Sequence, residues 1–102
     1  MNTSPADTTL AEAQSVAVSD DSVTVELADG RTLSVPISWY PRILHATSDE
    51  RNHWELLGNG IGIHWPELDE DISVQGLLAG RRSGESAKSL EKWLAARARR
   101  SA

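Results

Sequence analysis

The chain has 102 residues, 39% of them hydrophobic and 25% charged, with a net charge of −5, and a domain of this size has room for one modest core. It contains no cysteine, which excludes disulfides, thiolate zinc sites and a thiol nucleophile and fits a reducing compartment. No signal-peptide pattern opens the sequence and no run of about 18 apolar residues occurs, so the expectation is a cytoplasmic protein without membrane contact.

The net charge conceals an asymmetry. Residues 1–80 carry 13 acids and three arginines, a balance of −10, whereas residues 81–102 carry seven bases and two acids, a balance of +5. An acidic body repels phosphate backbones; a basic tail either touches nucleic acid or folds back on the body. With four Trp and no Phe, Trp39, Trp54, Trp65 and Trp93 are expected to supply most of the aromatic packing volume.

In chain order, residues 1–14 lack sustained periodicity and are expected to form a disordered leader, with the domain beginning near Ser15. Val16 and Val18 suggest a short strand, the Ser-Asp-Asp-Ser run a turn, and Val23, Val25 and Leu27 a second strand by their alternation. A two-residue Asp-Gly turn would then place the apolar rows of the next hairpin on opposite faces. A three-residue loop, with Gly30 left-handed after Ala28 and Asp29, instead pairs Leu27 with Arg31, Val25 with Leu33 and Val23 with Val35, which predicts one apolar face.

Pro36 ends that strand. Ser38 is expected to cap a short helix through Leu44 that turns Trp39, Ile43 and Leu44 inward, and Ser48 to cap a further turn. Residues 54–57 and the alternating Ile61, Ile63 and Trp65 predict a second hairpin across Gly58-Asn59-Gly60. After an acidic turn, Ser73 is placed as the cap of a short helix carrying Val74, Leu77 and Leu78 and closed by Gly80. Residues 81–84 read as a hinge and Ser86 as the start of an amphipathic helix with Ala87, Leu90, Trp93, Leu94 and Ala98 on one side. The resulting expectation is an α+β fold: a small antiparallel sheet of two hairpins, short helices and a C-terminal amphipathic helix, organised as leader 1–14, domain 15–80 and basic hinge and helix 81–102.

The stretch Gly62 to Ser73, GIHWPELDEDIS, concentrates His64, Glu67, Asp69, Glu70 and Asp71, residue types that serve metal or acid/base chemistry. Their spacing argues against it. A calcium loop counted from Asp69 would need glycine at Val74 and a bidentate acid at Gly80, and His45 and His53 lie on other elements. No serine sits in a nucleophile elbow, and Gly58, Gly60 and Gly62 lie in a hairpin rather than before a helix. No catalytic residue, metal or cofactor is therefore expected.

The runs LADGRTLSVPISWYPRIL and GIGIHWPELDEDISVQGLLAG resemble the bacterial and archaeal family called domain of unknown function 2442, over roughly Ser15 to Gly80. The shared features are the Asp-Gly-Arg hairpin, Pro36, the Trp-Tyr-Pro-Arg run and the Trp-Pro-x-Leu-Asp-x-Asp turn, in that order. The resemblance implies a small α+β domain without established enzyme activity; many members sit beside another protein family in arrangements resembling toxin–antitoxin pairs. Some longer members add a helix-turn-helix, which this sequence lacks, so direct operator binding is not expected. The functional expectation is a non-enzymatic, antitoxin-like partner of a small, basic, toxin-like neighbouring protein. Trp39, Tyr40, His64, Glu67, Asp69, Glu70 and Asp71 are its candidate partner-binding surface, and Lys88, Lys92, Trp93 and Arg97 its candidate tail contacts, to the protein's own body or to another copy. The alternatives are a nucleic-acid-associated regulator acting through the tail and, behind it, a metal-dependent hydrolase using His64 and the acids.

Overall fold

The structure, a computed structural model, describes residues 11–101, and most of the expected leader lies outside them. Six strands form two three-stranded antiparallel sheets: β1 (Ala13–Val18), β2 (Ser22–Leu27) and β3 (Thr32–Pro36) in one, and β4 (Glu55–Leu57), β5 (Gly62–Trp65) and β6 (Glu70–Ser73) in the other, each in sequence order. Between the sheets run a 3₁₀ turn (Ile37–Trp39), α1 (Pro41–Leu44) and α2 (Ser48–Asn52); α3 (Val74–Leu78) and α4 (Ala87–Ser101) follow β6.

The β2–β3 hairpin has the register demanded by its apolar rows. Val25 lies opposite Leu33 and Val23 opposite Val35. The Leu27 N–H donates to the Arg31 carbonyl at 2.8 Å, and Gly30 takes φ +96°. The Asp29 carboxylate fixes the loop by accepting from the Arg31 backbone N–H at 3.0 Å and its side-chain Nε at 2.9 Å. β1 begins at Ala13, ahead of Ser15, because Ala13 is buried and its N–H donates to the Gly60 carbonyl at 2.7 Å. This bond ties the start of one sheet to the β4–β5 turn of the other.

A single core joins Val23, Val25 and Leu27 to Ile43, Ile63, Trp65, Leu68 and Val74. Of the four tryptophans only Trp65 is fully buried, its indole N–H donating to the Arg51 carbonyl at 3.1 Å; Trp39, Trp54 and Trp93 pack half-buried against the outside of the cluster. Aliphatic residues therefore carry most of the core.

Several local expectations are corrected. Ser38 caps nothing: Tyr40 precedes Pro41, a position held away from helical backbone, and its φ −128° and ψ 86° split the expected helix into the 3₁₀ turn and α1. A one-turn helix can aim little at the core, so Ile43 is buried while Leu44 is exposed. The cap of α2 is Thr47, not Ser48: its hydroxyl accepts from the Glu50 N–H at 3.1 Å while the Glu50 carboxylate accepts from the Thr47 N–H at 2.8 Å, a reciprocal capping box. Ile61 is 45% exposed because it belongs to the turn, its N–H bonded to Leu57, and β5 begins one residue later. Ser73 does cap α3, accepting from the Gly76 N–H at 2.9 Å, and Gly80 takes φ +74°. Leu78 on that helix stays exposed, as do Ala87 and Ala98 on α4.

Two of the left-handed hairpin glycines, Gly30 and Gly60, should differ sharply on substitution. A Cβ at Gly30 meets nothing within 4 Å, whereas at Gly60, φ +101°, it would run into the Ala13 backbone. Gly30→Ala should cost about 1 kcal/mol for the backbone alone, and Gly60→Ala about 3 kcal/mol as the junction between sheets opens. Urea melts of both variants check the ordering.

Candidate functional site: the acidic hairpin and the latch beneath it

The acidic segment is a strand, not only a turn. After Trp65 the chain turns through Pro66–Asp69, with Leu68 buried and Asp69 at φ +51°, and returns as β6 with Trp65 opposite Glu70, His64 opposite Asp71 and Ile63 opposite Ile72. Alternation along β6 then sorts the acids. Asp71 faces outward and Glu70 inward, on the side of Trp65 and Ile72.

The outward row runs Glu55–His64–Asp71 across the three strands. The His64 Nδ1 and the Asp71 carboxylate form a close contact. Beside the row, the His53 Nδ1 lies 3.0 Å from the Glu67 carboxylate. Glu55, Glu67, Asp69 and Asp71 are all exposed. The two histidines thus pair with different acids, and among the described residues no three His, Asp or Glu side chains come together as a metal-binding group. The arrangement is a surface of negative charge, suited to long-range attraction of cations.

Glu70 behaves differently. It is half-buried and lines a cleft of about 210 Å³ with Tyr40, Ser73, Gly76 and residues 81–84. Burial, reinforced by the charges of Glu85, Asp71 and Asp69 and opposed by Arg42, pushes its carboxyl up to about 7. Tyr40 is raised as well, by burial and by the charge of Glu70. Among the partner-binding candidates, Tyr40 is 4% exposed and its hydroxyl donates to the Arg81 carbonyl at 3.0 Å. Trp39 is half-buried beneath the Arg82 guanidinium, 4.9 Å from its ring centre.

Beneath the acidic hairpin lies a latch holding α4. The Arg42 guanidinium forks onto Glu85 with bonds of 2.7–3.1 Å, donates to the Leu68 carbonyl at 2.9 Å and stands 5.1 Å over the Trp93 ring. Arg97 stacks 4.6 Å from the same ring and bridges to both Glu50 oxygens at 2.8 and 3.0 Å. Arg97 holds the Glu50 carboxyl down to about 2, and Arg42 holds Glu85 below its ordinary value. The tail meets its own body mainly through charge and stacking: Leu90 and Leu94 are only half-buried, and Lys88 and Lys92 are exposed.

Some of this was readable and missed. Thr47-x-x-Glu50 is a capping-box pattern, and Ile72 at period two with Glu70 would have placed Glu70 on the inner face had β6 been recognised. The pairings of Arg42 with Glu85 and Arg97 with Glu50 span 43 and 47 residues, and no local pattern signals them.

Two outcomes follow for stability. Because Glu70 is raised in the fold, its contribution is fully present below the ordinary carboxylate range and is lost as pH rises through about 7; Glu70→Gln should melt like wild type at pH 4 and higher than wild type at pH 8. Arg42→Ala should cost about 3 kcal/mol, since Glu85 then stays buried without its partner, and Glu85→Gln in that background should recover part of the loss. Thermal melts of the single and double variants across pH measure both.

Residues 13–83 match the family described as a protein of unknown function, DUF2442. A search of curated proteins found no match. Among solved structures, the chain is similar to a protein of unknown function from Rhodospirillum rubrum ATCC 11170, with 32% identity and a TM-score of 0.64, covering 76% of this chain and 95% of that one. It is also similar to an uncharacterized protein from Chromobacterium violaceum solved by solution NMR, with 29% identity and a TM-score of 0.61, covering 79% of this chain and 74% of that one. The order of hairpin, proline-bracketed turn and acidic β5–β6 hairpin, together with this match, places the chain in the DUF2442 family.

Proposed function

We propose that this protein is a non-enzymatic interaction module that presents the outer face of its second sheet to a basic partner protein, in the manner of an antitoxin-like partner of a small neighbouring protein. The observation that carries the reading is the Glu55–His64–Asp71 row, flanked by exposed Glu67 and Asp69. Four exposed carboxylates on and beside one face exceed what any nearby helix terminus uses, and a field of that sign speeds encounter with a basic surface more than it stabilises a fold. The partner-binding set is accordingly Glu55, His64, Glu67, Asp69 and Asp71, with Glu70 behind it. No helix among the described residues is long and apolar enough to cross a membrane, and a cytoplasmic location belongs to the same proposal.

The test is a comparison of wild type with a variant carrying Glu67→Gln, Asp69→Asn and Asp71→Asn, each used to capture its partner from the native host. The variant should keep its melting temperature within a few degrees. Association with the captured partner should slow by about tenfold at low salt and converge with wild type at high salt, where screening removes the steering. Equal association rates at low salt would refute the assignment of this face.

A further inference from the structure

We propose that the solvent-facing stripe of α4, formed by Lys88, Lys92 and Arg99, binds the phosphate backbone of double-stranded DNA without sequence preference. The inference is independent of the acidic face and rests on how the positive charge is distributed. All three arginines of the body are neutralised within the molecule: Arg31 by Asp29, Arg42 by Glu85 and Arg51 by Asp20, each at 2.7–2.8 Å. Arg97 is bound to Glu50 and Arg82 lies over Trp39. Among the described residues, Arg81, Arg82, Lys88, Lys92, Arg99 and Arg100 are exposed and have no carboxylate partner, and Lys88, Lys92 and Arg99 of these share one side of α4. The positive charge left uncompensated is thus concentrated in the C-terminal part of an otherwise acidic chain.

Helical geometry aligns these three cations. At 3.6 residues per turn they fall within about 40° of one another around α4 and span about 16 Å along it, whereas Leu90, Trp93 and Arg97 lie about 120–180° away. The latch therefore holds the helix by one side and turns the basic stripe outward. The residues flanking the stripe are Ser89, Glu91, Ala95, Ala96 and Ala98. They include no aromatic or large aliphatic anchor of the kind protein interfaces and membrane-surface helices use, and no Asn or Gln that reads base edges. Glu91 apart, such a face offers cationic groups alone, two ammoniums and one guanidinium, and their complement is a regular array of phosphates. An α-helix about 10–12 Å across enters the major groove of B-DNA, about 12 Å wide, but not the deep, narrow major groove of duplex RNA.

The experiment is fluorescence anisotropy of a labelled 20-base-pair DNA of arbitrary sequence, titrated with the full chain. With three phosphates neutralised, the affinity should fall by about 40-fold between 50 and 200 mM salt. A second, unrelated DNA sequence should bind equally well. Lys92→Gln should lower the logarithmic salt slope by about 0.9. The triple variant Lys88→Gln, Lys92→Gln, Arg99→Gln should lose binding while melting as wild type does, since all three side chains are exposed. Four results would overturn the proposal: no saturable binding at 50 mM salt, undiminished binding by the triple variant, equal affinity for duplex RNA, or binding to anionic phospholipid vesicles in place of DNA.

Discussion

The guanidinium of Arg42 is the contact on which the upper half of the molecule depends. It sits on a one-turn helix too short to be stable in isolation, yet it reaches the carbonyl of Leu68 in the acidic hairpin, the carboxylate of Glu85 ahead of α4 and the ring of Trp93 within it. A planar fork with several donors satisfies these partners at once, which a lysine ammonium could not do in the same geometry. Ion pairs on protein surfaces contribute little; this one is 17% and 9% exposed on its two sides, so it is shielded from water and each partner needs the other.

That interaction also sets the electrostatic character of the neighbouring cleft. Glu85, engaged by Arg42, remains a negative charge near Glu70, and burial does the rest to keep Glu70 protonated to about neutral pH. The acids of the hairpin therefore divide into two populations. Glu67, Asp69 and Asp71 are hydrated charges directed at solvent; Glu70 belongs to the interior seam between β6 and the chain segment that leads to α4. The contrast arises from strand alternation alone, since Glu70 and Asp71 are adjacent in sequence and point to opposite faces.

Charge is sorted on a larger scale by the same means. The basic C-terminal helix meets the acidic body through Glu50 and Arg97 at one point and Glu85 and Arg42 at another, with Trp93 between the two arginines. Docking engages Arg97 on one side of α4 and leaves Lys88, Lys92 and Arg99 on the other exposed. The molecule consequently presents an acidic sheet face and a basic helix stripe.

The amino-acid sequence by itself determined the features governed by local chemistry. The alternation of Val23, Val25 and Leu27 with the Asp-Gly loop set the hairpin register, because a one-residue slip would have turned an apolar row to water; Ser73 ahead of Val74 announced α3, and the 3.6-residue period announced α4. The acidic stretch was legible as a cluster of charge but not as a strand, since Glu70 and Asp71 mask the alternation that Ile72 begins. Tertiary structure alone decided that Tyr40 is interior, that three of the four tryptophans sit at the margin of the core, and that α4 is held by Arg42, Glu85, Arg97 and Glu50. Those pairings join residues more than forty positions apart, and burial, which raises Glu70 and strengthens the Arg42 pair, exists only once the chain has closed on itself.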